Sequence, residues 1–252
     1  MRYGIDQPAS RSACCPSCDS DAGRPVGTGC QGEEMDKLST QEILDARLDD
    51  WRKLAQGLHA RYRVKDFTAA AAFAAAIAEA AAADGHQPDL KMTQDVVDLS
   101  LYTREDGLWI TEKDIAMARR VSEIARQQGL TPEPAAVTQL ELALDAADEK
   151  RVGPFWSALL TGSPDNQVYD GSVFDPSGRV PSLWFQSTGE HEPPRQRWHV
   201  DLWLAPEAAQ TRIAAAVAAG GSVVYDDEAP SFTVLADPDG NRVCVCTCLD
   251  RN

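Results

Sequence analysis

The side chains best able to do chemistry are cysteines, histidines and carboxylates at short intervals. Cys15-Pro16-Ser17-Cys18 is a C-x-x-C, flanked by Cys14 and Cys30. Such a pair holds zinc when a second pair completes four ligands, and no second C-x-x-C is present. Gly27-Thr28-Gly29-Cys30-Gln31-Gly32 fits G-x-G-x-x-G. That motif cradles a dinucleotide only between a strand and a helix, and neither pattern flanks it. Cys244, Cys246 and Cys248 alternate along a strand-like run and fall to one side, where free cysteines act as small buried hydrophobes. His199 and Asp201 also share one strand face. His86-Gln87-Pro88 follows Gly85 at the end of a helical pattern. A histidine there can move protons near neutrality, or can simply cap the helix end. Arg104 stays protonated, so it can bind an anion but cannot act as a base. Asp114 stands at the third position of a helix, where a carboxylate stabilises the N-terminus without chemistry.

These residues must be positioned by folded elements. The chain has 252 residues, of which 43% are hydrophobic, an ordinary fraction for a globular core. Its formal net charge of −15 is concentrated beyond residue 132 and repels phosphate backbones, so nucleic acid is not an expected partner. The most apolar stretch, Thr68 to Ala83, is Ala-rich, carries Glu79 and is too short for a membrane span, so no membrane partner is expected. The first 20 residues lack an apolar leader core, which makes the cytoplasm the expected compartment. An odd count of seven cysteines argues against a disulfide framework.

Residues 1–34 read as a disordered tail rich in Gly, Pro, Ser and Asp, and Met35 as a candidate native start. Ser39-Thr40-Gln41-Glu42 is a capping box and predicts a helix running towards Leu54. Leu58 to Val64 alternates as a half-buried strand should. Asp66 caps a long Ala-rich helix that stops near Gly85. Val96 to Tyr102 alternates again, and Thr111-Glu112-Lys113-Asp114 opens a further amphipathic helix. The expected order is α-β-α-β-β-α, an α+β domain over residues 35–131 with helices on one face of an antiparallel sheet. Thr131-Pro132-Glu133-Pro134 marks a boundary, with a linker over 132–136 and a second domain over 137–252.

The second domain contains an internal repeat. A strand at Leu140–Leu144 and a helix through Phe155 and Leu160 are matched by a strand at Trp198–Leu202 and a helix through Ile213 and Val217. Each half then has a D-P-x-G turn, at Asp175–Gly178 and Asp237–Gly240, leading to a strand. Two β-α-β-β-β modules related by a pseudo-twofold axis can curl around a shared cleft.

Residues from about Asp49 to Gly129 resemble the pterin-4a-carbinolamine dehydratase family. The likeness is carried by Trp51-Arg52-Lys53-Leu54, Asp66-Phe67, Gly85-His86-Gln87-Pro88-Asp89 and Gly107-Leu108-Trp109-Ile110-Thr111-Glu112-Lys113-Asp114-Ile115. The resemblance implies loss of water from a 4a-hydroxytetrahydropterin by proton transfer, with no metal or redox cofactor. It makes His86 the catalytic residue and places Gln87, Pro88 and Arg104 along the substrate. His86, Pro88 and Asp114 keep the family pattern. Ala82 stands where the pattern has an acid, Gln87 where it has a second histidine, Gln94 or Asp95 where it has an aromatic, and Arg104 where it has the later histidine. A homo-oligomer formed through this domain and a pterin-like or other heterocyclic ligand are the expected partners.

Residues from about Val137 to Thr247 resemble a glyoxalase-like domain of the vicinal-oxygen-chelate superfamily, through Arg195-Gln196-Arg197-Trp198-His199-Val200-Asp201-Leu202, Ala236-Asp237-Pro238-Asp239-Gly240-Asn241 and Phe155-Trp156. Metal-using members place ligands on the first and last strands of each module. Counting along the repeat equates Glu141 with His199 and the Ser182–Trp184 stretch with Cys244–Cys246. A divalent metal would therefore have to use Glu141, His199 and Cys244. The favoured expectation is a metal-free cleft lined by His199 and Asp201. Three functions follow from these likenesses: a 4a-hydroxytetrahydrobiopterin dehydratase, a non-catalytic small-molecule-binding protein, or a metal-dependent lyase or dioxygenase run by the second domain.

Overall fold

Two antiparallel strands joined by a tight turn, β1 (Trp51–Leu54) and β2 (Gly57–Arg63), begin the first sheet. The computed structural model describes residues 37–104, 107–163, 165–166, 171–189, 198–236 and 242–251. The tail expectations over 1–34 and the Asp237–Gly240 turn lie outside them. Helix α1 is short, Thr40–Asp45, with Ser39 and Glu42 forming the capping box: the Ser39 amide donates to Glu42 Oε2 at 2.8 Å. The sequence predicts a helix towards Leu54; instead it stops because Arg47 adopts φ +51°. Trp51 and Leu54 then sit on a strand, paired with Ala60 and Gly57.

The sheet order is β1-β2-β4-β3, with β3 at Asp89–Met92 and β4 at Val96–Leu101. Helices α2 (Phe67–Asp84) and α3 (Glu112–Gln127) cover one face. Asp66 caps α2, accepting from the Ala69 amide at 2.8 Å, and Gly85 ends it at φ +68°, a conformation that costs glycine nothing. The element order is thus α-β-β-α-β-β-α. It adds β1 to the expected order, and beyond β4 Thr103 and Trp109 form an isolated bridge. Alternation on β2 and β4 sends Leu58, Ala60, Tyr62, Val97, Leu99 and Leu101 into the core with Phe73, Ile77, Ile115 and Val121. Helix α2 has the length and hydropathy of a membrane span, but its Ala70, Phe73 and Ile77 are packed in this core.

The segment after α3 is stitched to the first sheet rather than running free. Strand β5 (Thr131–Pro132) pairs with Tyr62 and Arg63 of β2, and a 3-10 turn at Pro134–Ala136 follows. The second sheet has the order β7-β6-β8-β11-β10-β9. Its central pair is β6 (Thr138–Ala146) against β8 (Trp198–Leu204), flanked by β7 (Ser182–Ser187) and β11 (Arg242–Cys246). The second half shows the full order β8, α5 (Pro206–Ala218), β9 (Ser222–Tyr225), β10 (Phe232–Ala236), β11. The first half shows β6, α4 (Glu149–Thr161) and β7, with Val173 bridged to Leu183. Leu142, Leu144, Leu183 and Phe185 pack with Trp156 and Leu160 of α4, while Leu202, Leu204, Val243 and Val245 pack with Ala209 and Ile213 of α5. Period-two alternation then turns Glu141, Ser182, Trp184, His199, Asp201, Trp203, Cys244 and Cys246 to the opposite face.

Candidate active site and the cleft beside it

His86 lies just past the C-terminal glycine of α2, and Asp114 lies in the first turn of α3. The two helices pack together, which brings His86 Nε2 within 2.7 Å of Asp114 Oδ1. Asp114 is fully buried. Its Oδ2 accepts from the Thr111 amide at 2.8 Å, Thr111 Oγ1 at 3.1 Å and Thr103 Oγ1 at 2.8 Å. A carboxylate held by three donors cannot rotate, so Oδ1 stays aimed at the imidazole. An ionised carboxylate only accepts, so Nε2 carries the hydrogen and Nδ1 keeps its lone pair. The helix-cap role expected of Asp114 is real, but the same carboxylate also orients His86.

His86, Gln87 and Arg104 line one cavity of about 340 Å³, together with Asp89, Ser100, Tyr102, Thr103 and Lys113. Pro88 is buried and is not part of the cavity wall; it turns the chain from His86 into β3. Arg104 Nη2 donates to Asp89 Oδ2 at 2.8 Å and to Tyr102 Oη at 2.7 Å. The Tyr102 hydroxyl also donates to Asp89. Burial, with the hydrogen bond to Asp89 next, pushes the Tyr102 phenol up to about 12, so it stays protonated. The cavity therefore offers an imidazole for proton transfer, an arginine fixed by Asp89 and Tyr102, a neutral phenol and the Lys113 side chain. Asp89, Tyr102 and Lys113 were not singled out from the sequence, because nothing local distinguishes them from ordinary surface residues.

Comparisons with known proteins find relatives for both parts of the chain. A family model described as "Pterin 4 alpha carbinolamine dehydratase" matches residues 34–124, and one described as "Glyoxalase-like domain" matches residues 141–246. A relative from Koribacter versatilis named for pterin-4-alpha-carbinolamine dehydratase is 38% identical over 93 residues, covering 36% of this chain and 98% of the relative. The chain belongs to the pterin-4a-carbinolamine dehydratase family. A relative of the same name from Chloroflexus aurantiacus is 37% identical over 92 residues, covering 36% of this chain and 98% of the relative. A transcriptional coactivator/pterin dehydratase of known structure from Brucella melitensis is 32% identical, covering 36% of this chain and 99% of that one, with a TM-score of 0.34.

In the glyoxalase-like domain the sheet register revises the repeat alignment. Glu141 is level with Ser182 on the neighbouring parallel strand, and Asp201 is level with Cys244. With Ser182 equivalent to Cys244, the counterpart of Glu141 is Asp201, not His199. Counting from the loops missed this because the two strand-to-helix connections differ in length.

Glu141 is buried at 3% exposure. Its carboxylate accepts from Trp203 Nε1 at 2.7 Å and Ser182 Oγ at 3.1 Å. The β1–β2 turn of the dehydratase-like domain closes this end of the cleft: Leu54 and Ala55 pack on Val137, Trp203 and Cys246, and the Gln56 side chain bonds to Glu141. Arg52 Nε adds an ion pair to Glu207 Oε1 at 2.8 Å. Burial raises the Glu141 pKa above the usual carboxylate value, opposed by these hydrogen bonds.

Across the β6–β8 pair from Glu141 lies Asp201, which groups with His199 and Cys244 so that their candidate ligand atoms all lie within 4.8 Å of one another. Asp201 accepts from Trp184 Nε1 at 3.0 Å through Oδ2 and lies 3.2 Å from His199 Nδ1 through Oδ1. The Trp184 ring also packs edge-on to His199 at 5.5 Å. Burial and the Asp201 charge push the Cys244 thiol up to about 12. Two of the four positions that the glyoxalase resemblance implies, Glu141 and Ser182, are thus bonded to each other, and a third, Asp201, has both oxygens engaged. The atoms that converge are instead those of His199, Asp201 and Cys244. Glu141 in particular is not brought together with His199 and Cys244. His199 and Asp201 do share one face of the cleft.

Proposed function

We propose that the first domain is a 4a-hydroxytetrahydrobiopterin dehydratase, a hydro-lyase working in the cytoplasm. The observation that carries the reading is the His86–Asp114 pair, 2.7 Å apart at a cavity of heterocycle size. The reaction breaks the C4a–O bond and removes the N5 proton, releasing water and a quinonoid dihydropterin. On balance, one proton passes from N5 to the departing oxygen. A single imidazole can carry it by accepting through Nδ1 and donating to the hydroxyl. Asp114 favours the tautomer that leaves Nδ1 free and stabilises the imidazolium formed between the two transfers. Gln87 and Arg104 serve in binding, since neither can exchange a proton at neutral pH. No step needs a metal or redox cofactor.

The test generates the 4a-hydroxypterin in situ and follows its dehydration. Wild type should exceed the background rate, and His86→Ala should fall to it, a loss of about 10²-fold or more for an acid–base residue. Equal rates for both, matching background, would end the proposal.

A second reading draws on Arg104. Where the family pattern has a histidine, this chain has a cation tied to Asp89 and Tyr102. That favours a pocket that binds an anionic heterocycle without turning it over, with the homo-oligomer formed through the same domain. Ligand binding without turnover in the same assay supports this alternative.

A further inference from the structure

Arg104 is held from both domains. Its guanidinium carbon lies 4.9 Å from the Tyr102 ring centroid and 5.3 Å from that of Phe174, which belongs to the glyoxalase-like domain. The two rings meet edge-to-face at 5.7 Å and 81°. Arginine over an aromatic face gains about 0.5–1 kcal/mol at exposed sites and more when water is excluded. The guanidinium is planar, so fixing its plane fixes the direction of every N–H it carries.

Phe174 is itself anchored on both sides. Val173 exchanges backbone hydrogen bonds with Leu183 at 2.7 and 3.0 Å, and the Phe174 amide donates to the Asn166 carbonyl at 3.1 Å. The next residue, Asp175, accepts from the amides of Ser177, Arg179 and Val180 at 2.9, 2.9 and 3.1 Å. The first D-P-x-G turn of the repeat therefore holds a phenyl ring in place against Arg104.

We propose that Phe174 is a positioning residue for the dehydratase-like pocket: it locks Arg104 so that the guanidinium edge not bonded to Asp89 and Tyr102 is presented to acceptor atoms of the ligand. Only Nη2 bonds to those two side chains, and Nε and Nη1 have no partner among the described residues. The ligand suited to that edge is a heterocycle with a carbonyl or anionic acceptor pair. Naming it a pterin rests on the dehydratase reading; the role of Phe174 does not. The glyoxalase-like domain thereby braces a residue that lines its neighbour's pocket, while its own cleft is closed at Glu141 by the neighbour's hairpin.

The test uses the full chain and an arginine-specific dicarbonyl reagent, with modification of Arg104 read by peptide mass spectrometry, with and without 7,8-dihydrobiopterin as probe. Phe174→Ala should speed modification of Arg104 about three- to tenfold, as loss of a ring contact of this size implies. The probe should slow modification in wild type and not in Phe174→Ala. Phe174→Tyr should restore both behaviours. Phe174→Leu, which fills the space without a ring, should behave like Phe174→Ala and stands in for it if the alanine variant fails to fold. Where turnover is measurable, KM should rise about fivefold in Phe174→Ala with kcat within about twofold, the signature of lost binding rather than lost chemistry. Equal modification rates in wild type and Phe174→Ala, or equal protection by the probe, or no protection in wild type, overturn the inference even if wild type turns over. A wild-type protein that shows the expected protection but no turnover overturns the dehydratase reading and supports the role of Phe174.

Discussion

His86 Nε2 stands 2.7 Å from a carboxylate oxygen of Asp114 that water cannot reach. Asp114→Asn keeps the shape but replaces a fixed acceptor with an amide. Its oxygen can still serve Thr111 and Thr103, which places the NH2 group opposite His86. The imidazole must then accept through Nε2, and Nδ1 carries the hydrogen in the wrong place for a base. The expected result is a fall in kcat of about 10²-fold, with little change in KM. Stability should drop by about 1–3 kcal/mol from the poorer match to three buried donors, read by denaturant unfolding. A variant with unchanged kcat would show that Asp114 serves the helix alone.

His59 gives a pH-dependent stability. Its Nδ1 lies 3.0 Å from Ser100 Oγ, and it bonds to the Leu54 backbone under the β1–β2 turn. Burial pushes its pKa down to about 4 in the folded chain, against an unfolded value of about 6.5. Below pH 6.5 the unfolded chain binds the proton and the folded chain does not. The contribution is therefore complete above pH 6.5 and is lost as the pH falls towards about 4. The melting temperature of wild type should decline across that window, and His59→Gln should flatten this part of the profile.

Glu141 separates a structural role from a ligand role. Glu141→Gln keeps an acceptor for Trp203 Nε1 and should cost little. Glu141→Ala leaves that buried donor unpaired and should cost about 1–3 kcal/mol in denaturant unfolding. Neither should change metal content, because wild type purified without chelators is expected to carry no stoichiometric divalent ion by elemental analysis. One ion per chain, lost in Glu141→Ala, would reverse this assignment.

Much of the fold can be read from local chemistry. The caps at Asp66, Gly85 and Thr111, the alternation of β2, β4, β6 and β8, and the D-P-x-G turn at Asp175 all report backbone preferences within a few residues. One strand, β1, reads as helix in the sequence and another, β3, cannot be placed from it, for physical reasons. Leu44, Leu48, Trp51 and Leu54 recur at helical spacing, and only the left-handed Arg47 and the pairing with β2 break the helix. All four residues of β3 are exposed, so it has no buried alternation to detect. The site was legible through the family pattern at His86 and Arg104, while Phe174 was not. Its contact with Arg104 joins residues 70 positions apart across two domains, and no local periodicity encodes that.

Asp175 ties the pH response of the second domain to the pocket of the first. The hydroxyl and amide of Ser177 hold its pKa down to about 2 from an ordinary 3.8. A carboxylate with a lowered folded pKa contributes stability that is full above its unfolded value and is lost as the pH falls through the folded one. Asp175→Ala should therefore melt below wild type at pH 7, and the difference should shrink as the pH falls below about 4 towards 2. At neutral pH the variant should also loosen Phe174, because the turn that follows the ring loses its three backbone donors' common acceptor. Modification of Arg104 should then accelerate in Asp175→Ala as it does in Phe174→Ala, and the double variant should be no faster than either alone. Additive acceleration would mean that the turn and the ring act on Arg104 separately.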